Sequence, residues 1–303
     1  MSSLATGYFT AYVILELSRI QCNMNLSILI LTLNEEQNLP ACLESVKWAD
    51  EIVVLDSFSK DQTVEIARAH GVRVIQRRFD DFAGQRNFAM EHISFRHPWI
   101  FHLDADERFT VALREECMSS VHADKFSGFM VPSKLLLGDR WLRYSSMYPT
   151  YQVRLLKLGE VRYVQKGHGQ REEEAKRGIG YLNEPYTHYN FSKGIEDWYE
   201  KHRRYADQEA LETLMSLRRG RMDWGGLASI TDPMRRRRAL KLLSMRLPCR
   251  RSLRFIYMYF FRLGFLDGRA GLTYCRMMAW YEGLIARRVR ELGDVSTTSK
   301  CNT

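Results

Sequence analysis

Two aspartates one residue apart, Asp104 and Asp106, are the residues in this 303-residue chain whose spacing most clearly suggests chemistry. They follow the apolar segment 99–103 (WIFHL), which predicts a buried strand. Residues i and i+2 of an extended chain point to the same side, so the two carboxylates can be presented together. Hard oxygen donors suit Mg²⁺ or Mn²⁺, and such an ion would also bind a diphosphate. The pattern predicts a metal site at the end of this strand.

Acidic and polar residues also follow the other predicted strands. The segments 26–33 (LSILILTL), 51–55 (EIVVL) and 72–76 (VRVIQ) predict strands, and helices are expected between them. This alternation predicts βαβ units and a mainly parallel sheet, whose ligands bind beyond the carboxyl ends of the strands. We therefore expect the polar residues at those ends to converge in space. They are Asn34, Glu35, Asp56, Asp104 and Asp106.

The second half of the chain is more irregular. Short strand-like pieces are predicted at 129–132, 152–156 and 161–164, and the chain turns helical from residue 192 onward. The expected organisation is an N-terminal extension (1–23), an α/β catalytic domain (24–190) and a basic helical region (191–303).

Four segments in this order resemble the family-2 glycosyltransferases with the GT-A fold: ILTLNEEQNL, VVLDSFSKDQT, AGQRNFAM and HLDADE. The resemblance is strong over about residues 25–110. Later segments, such as THYNFSKGIEDWYEKHRRYA, resemble the bacterial subgroup that builds cell-surface polysaccharides and lipopolysaccharide cores, and extend the resemblance to about residue 285. It implies an α/β, GT-A nucleotide-sugar-binding fold, with a mainly parallel sheet flanked by helices and a basic helical C-terminal region.

The resemblance also implies roles for seven residues of the first half. Thr32, Asn34 and Glu35 would line the nucleotide pocket, and Asp56 would hydrogen-bond the base, usually uracil. Arg86 would lie against the base or the diphosphate. Asp104 would contact the ribose or the metal, and Asp106 would be the principal metal ligand.

A general base is expected 60–90 residues beyond the two aspartates, because an acceptor hydroxyl must lose a proton as it attacks the sugar. Glu172 is the residue we select, with Glu173 as its rival, although the acidic run could equally be a solvated surface. His168 is predicted as a third metal ligand or a diphosphate contact, and otherwise as a loop histidine. His188 is expected either to line the site or to pack beneath the helical region.

Positive charge is concentrated at the C-terminal end. From residue 216 onward there are 19 Lys and Arg against 6 Asp and Glu, whereas the first 215 residues carry 26 against 30. Arginines such as Arg235–Arg238 and Arg250–Arg251 stand beside apolar stretches too short to span a bilayer, a pattern typical of helices in a membrane interface. The expected partner is an anionic inner-leaflet surface, with a cytoplasmic, peripheral location. Nucleic acid is not expected, since no recognised binding module accompanies the charge.

The function predicted is metal-dependent, inverting transfer of a sugar from a nucleotide-sugar, expected to be a UDP-sugar, to a cell-surface glycan or lipid-linked acceptor. A polyprenyl-phosphate glycosyltransferase and a catalytically inactive nucleotide-sugar-binding scaffold stay open as alternatives. A sugar-phosphate nucleotidyltransferase is disfavoured because the loop after the first strand is acidic rather than rich in glycine and lysine. A dinucleotide-dependent dehydrogenase is excluded because the chain has no GxGxxG segment.

Overall fold

A computed structural model describes residues 25–166, 169–219, 223–227, 239–240 and 243–298. Twelve strands occur in this part of the chain. They are β1 (Leu26–Thr32), β2 (Ile52–Asp56), β3 (Arg73–Gln76), β4 (Trp99–Asp104), β5 (Glu107–Arg108), β6 (Gly128–Leu137), β7 (Arg140–Trp141), β8 (Thr150–Lys157), β9 (Val161–Lys166), β10 (Gly169–Ala175), β11 (Ile179–Tyr181) and β12 (Tyr186–His188).

The helices divide into two sets. Four short ones alternate with the strands: α1 (Leu39–Val46), α2 (Thr63–Ala69), α3 (Phe82–His92) and α4 (Val111–Ala123). The others follow the last strand: α5 (Ile195–Arg219), α6 (Trp224–Leu227), α7 (Arg250–Ile256) and α8 (Gly268–Thr298). Between α7 and α8 lie a π-helical turn (Tyr257–Phe261) and a 3-10 turn (Gly264–Asp267).

Ten strands form one sheet, in the order β3-β2-β1-β4-β8-β6-β12-β5, with β7 and β11 also paired to β6. The first four are parallel, as expected from the alternation of strands and helices. Beyond β4 the sheet is mixed, because β8 runs antiparallel to both β4 and β6. The predicted α/β class is thus confirmed. The four strands that include those ending in Asp56 and Asp104 are all parallel, whereas the other half of the sheet contains both parallel and antiparallel pairs.

Side chains of β1 alternate between the two faces of the sheet, so the strand is apolar throughout. Ile28 and Ile30 pack with helices α1, α2 and α4 in one fully buried cluster. Leu29 faces the other way and packs with Ala89 of α3 and with strand residues such as Ile100. Burial on both faces explains the uninterrupted apolar run seen in the sequence.

Strands β9 and β10 form a separate antiparallel pair that packs on α3. The side chain of Asn87 anchors it, donating to the Tyr163 carbonyl at 2.9 Å and accepting from the Tyr163 N–H at 3.0 Å. This pair carries Glu172 opposite Tyr163. The position of the predicted base is therefore set by α3, which follows β3 in the parallel half of the molecule.

The helical region has a buried cluster of its own. Trp198 and Ala206 of α5 pack against Met277, Tyr281 and Ile285 of α8. In the part of the chain that the structure describes, no helix is both long and apolar enough to cross a membrane.

Candidate active site

The loops that follow β1 and β2 are tied to each other at the carboxyl edge of the sheet. Asn34 adopts a left-handed conformation (φ 55°), its side-chain oxygen accepts from the Lys60 N–H at 2.8 Å, and its N–H donates to Ser59 Oγ at 2.8 Å. The Glu35 N–H donates to Thr63 Oγ1 at 2.7 Å. Asparagine tolerates a positive φ better than most residues, so Asn34 suits this turn.

Asp56, at the end of β2, is fully buried and accepts hydrogen bonds on both carboxylate oxygens. Thr32 Oγ1 and Gln76 Nε2, from the neighbouring strands β1 and β3, each donate at 3.0 Å. Ser59 donates through its N–H at 3.0 Å and also through its hydroxyl. Each oxygen therefore already has two donors within the protein, and a nucleotide base would have to replace one of them.

The strand register brings the acidic residues to one edge. In β1, Thr32 pairs with Asp56 of β2, and Leu31 pairs with Asp104 of β4 on the other side. Neighbouring strands lie about 4.8 Å apart, so the two aspartate backbones are separated by roughly 10 Å. The structure thus brings together Thr32, Asn34, Asp56 and Asp104, which are far apart in the sequence.

Asp104 is held by two almost fully buried arginines. Arg86 of α3 donates to one carboxylate oxygen at 2.9 Å, and Arg154 of β8 donates to the other at 2.8 Å. Arg154 also donates to buried Glu107 at 2.5 Å, and Glu107 in turn accepts from the Asp104 N–H at 2.9 Å. Arg86, predicted to lie against a base or a diphosphate, contacts Asp104 instead, and its role towards a nucleotide stays a prediction.

Asp106 faces His188, which approaches from the far end of the sheet. Strand β12 pairs antiparallel with β5 and sets His188 opposite Glu107, while the Tyr189 N–H donates to the Asp106 carbonyl at 2.8 Å. His188 Nε2 lies 3.4 Å from a carboxylate oxygen of Asp106. Of the two positions left open for His188 by the sequence, the contact with Asp106 agrees with the one beside the acidic residues, and its role there stays a prediction.

Burial and mutual attraction set the charges of this cluster. Burial opposes ionisation of Asp104, but Arg154 and Arg86 outweigh it and hold its pKa below the ordinary value. Burial also opposes a charge on His188, yet the Asp106 carboxylate raises its pKa to about 9. For Glu107 burial dominates and raises the pKa to about 7. The arginines thus favour the ionised form of Asp104 and Asp106 favours the protonated form of His188, whereas burial favours the neutral form of Glu107.

The donor atoms at this edge fit a divalent cation in part. Asp104 has an arginine on each oxygen, whereas Asp106 and His188 offer an oxygen and a nitrogen from opposite sides. No group of three His, Cys, Asp or Glu residues arranged for a metal occurs among the described residues. A cation held by Asp106 and His188 would need its other ligands from a diphosphate or water, which is usual for magnesium and manganese sites.

The other predicted site residues either lie around this cluster or fall outside the part of the chain that the structure describes. Lys193 Nζ contacts a carboxylate oxygen of Glu35 at 2.6 Å, and burial raises the pKa of Glu35 against the influence of that lysine. Glu172 is half-buried on β10, next to Tyr163, whose ring lies 5.8 Å from that of buried His102. Glu173 is exposed. His168 lies outside the residues that the structure describes.

Sequence reasoning missed Arg154 and Glu107. Arg154 lies in β8 (TYQVRLLK), and a charge inside an otherwise apolar strand was the available signal, because a buried charge requires a partner. Glu107 is one residue beyond the two aspartates, so its proximity in sequence could have included it. Lys193 lies in a segment that carried no chemical pattern of its own.

Fold and site together define an α/β protein with a ligand site beyond the carboxyl ends of its parallel strands. Residues 27–170 match the family model for glycosyl transferase family 2. The resemblance to family-2 glycosyltransferases predicted from the sequence is thus confirmed over these residues.

Curated relatives agree with this assignment. The chain is 34% identical over 144 residues to the lipopolysaccharide core biosynthesis glycosyltransferase LpsC of Rhizobium meliloti, which covers 46% of this chain and 53% of LpsC. It is 35% identical over 119 residues to an uncharacterized glycosyltransferase of Rickettsia bellii, covering 38% of this chain and 39% of that protein. The chain thus matches about half of LpsC and less of the rickettsial relative.

Solved structures include more distant neighbours. S. aureus TarS (residues 1–349) is 14% identical with a TM-score of 0.42, and the alignment covers 88% of this chain and 92% of that one. Glucosyl-3-phosphoglycerate synthase of Mycobacterium tuberculosis, in complex with Mn²⁺, UDP and glucosyl-3-phosphoglycerate, is 14% identical with a TM-score of 0.43, covering 62% and 79%. At these scores neither neighbour assigns a residue role to this chain.

Proposed function

We propose that this protein is a metal-dependent, inverting glycosyltransferase that moves a sugar from a nucleotide-sugar, expected to be a UDP-sugar, to a cell-surface glycan or lipid-linked acceptor. The observation that carries the proposal is the convergence of Asp56, Asp104, Asp106 and His188 at one edge of a family-2 domain. The similarity to LpsC, a lipopolysaccharide core biosynthesis glycosyltransferase, adds lipopolysaccharide core as a class of acceptor.

The nucleotide would lie against the two loops that follow β1 and β2. Thr32, Asn34 and Glu35 line this edge. Their hydrogen bonds to Asp56, Ser59 and Thr63, respectively, keep the loops in place before a ligand arrives. Asp56 would accept an N–H of the base in exchange for one of its present donors. Such exchange discriminates between bases, since a base without that N–H would leave a buried acceptor unsatisfied.

Asp106 and His188 would hold the cation, with Asp104 kept beside them by its two arginines. Because only a neutral imidazole can be a ligand, cation binding would release the proton that Asp106 stabilises on His188. When bound, Mn²⁺ or Mg²⁺ would neutralise the charge that develops on the leaving diphosphate. The imidazole nitrogen favours Mn²⁺ over Mg²⁺, because magnesium strongly prefers oxygen donors.

Glu172 is the proposed general base for the acceptor hydroxyl. The proposal is supported by a chain of contacts: Glu172 pairs with Tyr163, Tyr163 is hydrogen-bonded to Asn87 of α3, and the adjacent Arg86 contacts Asp104. Glu172→Gln should keep UDP affinity within about twofold and lower transfer by a hundredfold or more, in line with loss of a positioned base. If Glu173→Gln lowered transfer by a hundredfold or more while Glu172→Gln stayed fully active, Glu173 would be the general base instead.

Binding of UDP measured by calorimetry with and without Mn²⁺, followed by turnover of a panel of UDP- and GDP-sugars, tests the proposal. We expect Mn²⁺-dependent UDP binding and slow donor hydrolysis, both abolished in Asp106→Ala. Asp139→Asn, at an exposed acid on the turn after β6, is the matched control and should leave both unchanged. Full activity of Asp106→Ala would overturn the metal-dependent mechanism.

Two outcomes would favour the alternatives. Mn²⁺-dependent UDP binding without turnover on any donor or acceptor would indicate an inactive scaffold. Transfer to a polyprenyl phosphate, but to no glycan, would indicate a polyprenyl-phosphate glycosyltransferase. We further propose a cytoplasmic protein attached peripherally to the inner face of the membrane, because the basic C-terminal helices bring arginines and apolar side chains together.

A further inference from the structure

Large apolar side chains are exposed in one short stretch of the helical region. Of the nineteen such side chains in the described part of the chain, eight lie between Leu253 and Leu266. Phe260 and Phe261 are 55% and 75% exposed, and the other six range from 43% to 45%. We call these eight side chains the apolar ledge. Scattered exposed apolar residues are ordinary, but a contiguous group is a sign of an interaction surface.

The ledge is firmly attached to the body of the protein. Met258 and Gly264, from the same turns, are buried, and a Cβ on Gly264 would lie 2.7 Å from the Met258 carbonyl oxygen. Asp267 accepts from the N–H groups of Tyr144 and Ser145 at 3.0 and 2.8 Å. The exposed side chains therefore stand out from a tightly packed turn and do not result from loose packing.

Positive charge surrounds the ledge. Between Arg250 and Arg269 there are five arginines and one acidic residue, Asp267, which is buried and hydrogen-bonded. Arg251, Arg262 and Arg269 are exposed. A surface made of large apolar side chains among arginines matches the boundary between lipid headgroups and acyl chains.

A groove lined by arginines adjoins the ledge. Its volume is about 930 Å³, and none of its lining residues is acidic. It runs between the start of α7 and the 280–290 segment of α8, with Trp280 and Leu284 among its apolar lining, and α7 leads directly from the groove to the ledge. We call it the arginine groove. Its arginines are Arg203, Arg246, Arg250, Arg251, Arg287 and Arg290, of which Arg250 is paired with Glu282 of α8.

We propose that the ledge and the groove together form a binding face for an anionic phospholipid bilayer. The ledge inserts its aromatic and aliphatic side chains at the level of the acyl boundary, and the groove receives lipid phosphates, whose geometry suits the guanidinium fork. A second copy of this chain fits less well, because self-association through this face would bring two sets of arginines together. The inference rests on the membrane location proposed above, but not on the metal or the base.

Co-sedimentation of the full chain with vesicles tests this face. We expect binding to vesicles of phosphatidylglycerol and phosphatidylcholine, weak binding to phosphatidylcholine alone, and loss of binding as salt rises. Phe260→Ser with Phe261→Ser should lower partitioning by roughly tenfold or more, because both rings leave the acyl boundary. The matched control is Leu211→Ser with Met215→Ser, two exposed residues of helix α5, which should bind as the unmodified protein does.

A charge variant separates the two parts of the face. Arg287→Gln with Arg290→Gln should reduce partitioning into phosphatidylglycerol vesicles by on the order of tenfold or more and flatten its salt dependence. Arg68→Gln with Lys125→Gln removes two exposed charges elsewhere and should change little.

Three results would overturn the inference: no preference for anionic vesicles, unchanged binding in Phe260→Ser/Phe261→Ser, or a dimer in solution that the same variant converts to a monomer. Mn²⁺-dependent binding of UDP is measured on the same samples. Its absence beside intact vesicle binding would defeat the proposed catalysis alone, and the reverse pattern would defeat the membrane face alone.

Discussion

Arg154 is a side chain on which two acidic groups depend. It donates to Asp104 and to fully buried Glu107, and its guanidinium lies 5.2 Å from the centre of the Tyr186 ring. Breaking a buried ion pair by removing one partner leaves an uncompensated charge, which costs far more than the pair itself contributes. The position therefore combines two roles, keeping the fold intact and aiming Asp104.

Replacing Arg154 with leucine should lower the free energy of unfolding by about 3–5 kcal/mol, measured by urea denaturation. Arg162→Leu is the control, because it removes a strand arginine that is largely exposed and 3.7 Å from Glu91, and such pairs contribute about 0–1 kcal/mol. A loss for Arg154→Leu no larger than that of the control would contradict the buried-pair interpretation.

At the residue scale, the sequence identified side chains that end predicted strands, named His188 with two positions left open, and overlooked Arg154. Asp56, Asp104 and Asp106 were accessible because each follows a buried strand. Arg154 and His188 reach the site from β8 and β12, whose places in the sheet depend on non-local pairing. Local spacing carries no information about such partners, apart from the unusual charge in β8.

Asp267 joins two elements that are distant in the sequence. Buried between the 3-10 turn and α8, it accepts from the N–H groups of Tyr144 and Ser145 and from the Ser145 hydroxyl at 2.7 Å. A carboxylate that accepts hydrogen bonds from several backbone N–H groups stabilises a loop in the same way that a capping residue stabilises the end of a helix. It thus fixes the 142–149 segment relative to the ledge.

Asp267→Ala should lower the free energy of unfolding by about 2–3 kcal/mol, because hydrogen bonds to a charged group are lost and backbone donors stay buried. Amide hydrogen exchange of residues 142–149 should accelerate in the same variant. Asp139→Ala, at an exposed acid in the turn after β6, should change neither quantity. Unaltered exchange across 142–149 in Asp267→Ala would show that the loop is held by other contacts.

A second link between elements is an ion cluster that includes Lys157, the residue paired with Trp99 at the start of β4. Arg177 contacts Asp124 at 3.0 Å and Glu160 at 2.8 Å, and Lys157 contacts Asp124 at 2.6 Å. The hydrogen bond from Lys157, then that from Arg177, lowers the pKa of Asp124. For Glu160 burial acts in the opposite direction, and Arg177 outweighs it, so that its pKa is also lowered.

Because both carboxylates have depressed pKa values in the folded state, their contribution to stability is present above their unfolded pKa values of about 4 and is lost as pH falls below them. Arg177→Gln should therefore flatten the decline in unfolding free energy between pH 5 and pH 3, and have little effect on the slope near pH 7. Urea denaturation at a series of pH values measures this. If the unfolding free energy of Arg177→Gln declined between pH 5 and pH 3 as steeply as that of the unmodified protein, this ion cluster would not be the cause of the decline.

At the element scale, the parallel half of the fold was predictable and the other half was not. Strands β1 to β4 follow from apolar runs separated by helices, which constrain both order and direction. Strand β8 inserts between β4 and β6, and β12 lies between β6 and β5. No local pattern specifies such an arrangement, since short antiparallel strands can pair in several orders with similar burial.

At the scale of the whole molecule, the chain has buried cores that do not share residues. The clusters of the α/β part draw on residues from Leu26 to Tyr186, whereas the helical cluster lies between Phe191 and Val289. The charge division seen in the sequence runs along nearly the same line, with the basic excess in the later part. The links described between the two parts are mostly polar, such as Lys193 with Glu35 and Asp267 with Ser145.

Separate cores joined by polar links should unfold separately, because two-state behaviour requires that packing couple the whole chain. Pulsed hydrogen exchange along a urea series, resolved by peptide, should give one midpoint for residues 26–186 and another for 195–290. UDP with Mn²⁺ at about one hundred times the dissociation constant should stabilise the first unit by about 2.7 kcal/mol and leave the second nearly unchanged, since the proposed ligands lie in the α/β part. Phosphatidylglycerol vesicles should do the reverse. Coincident midpoints that move together with either ligand would mean that the two cores form one cooperative unit.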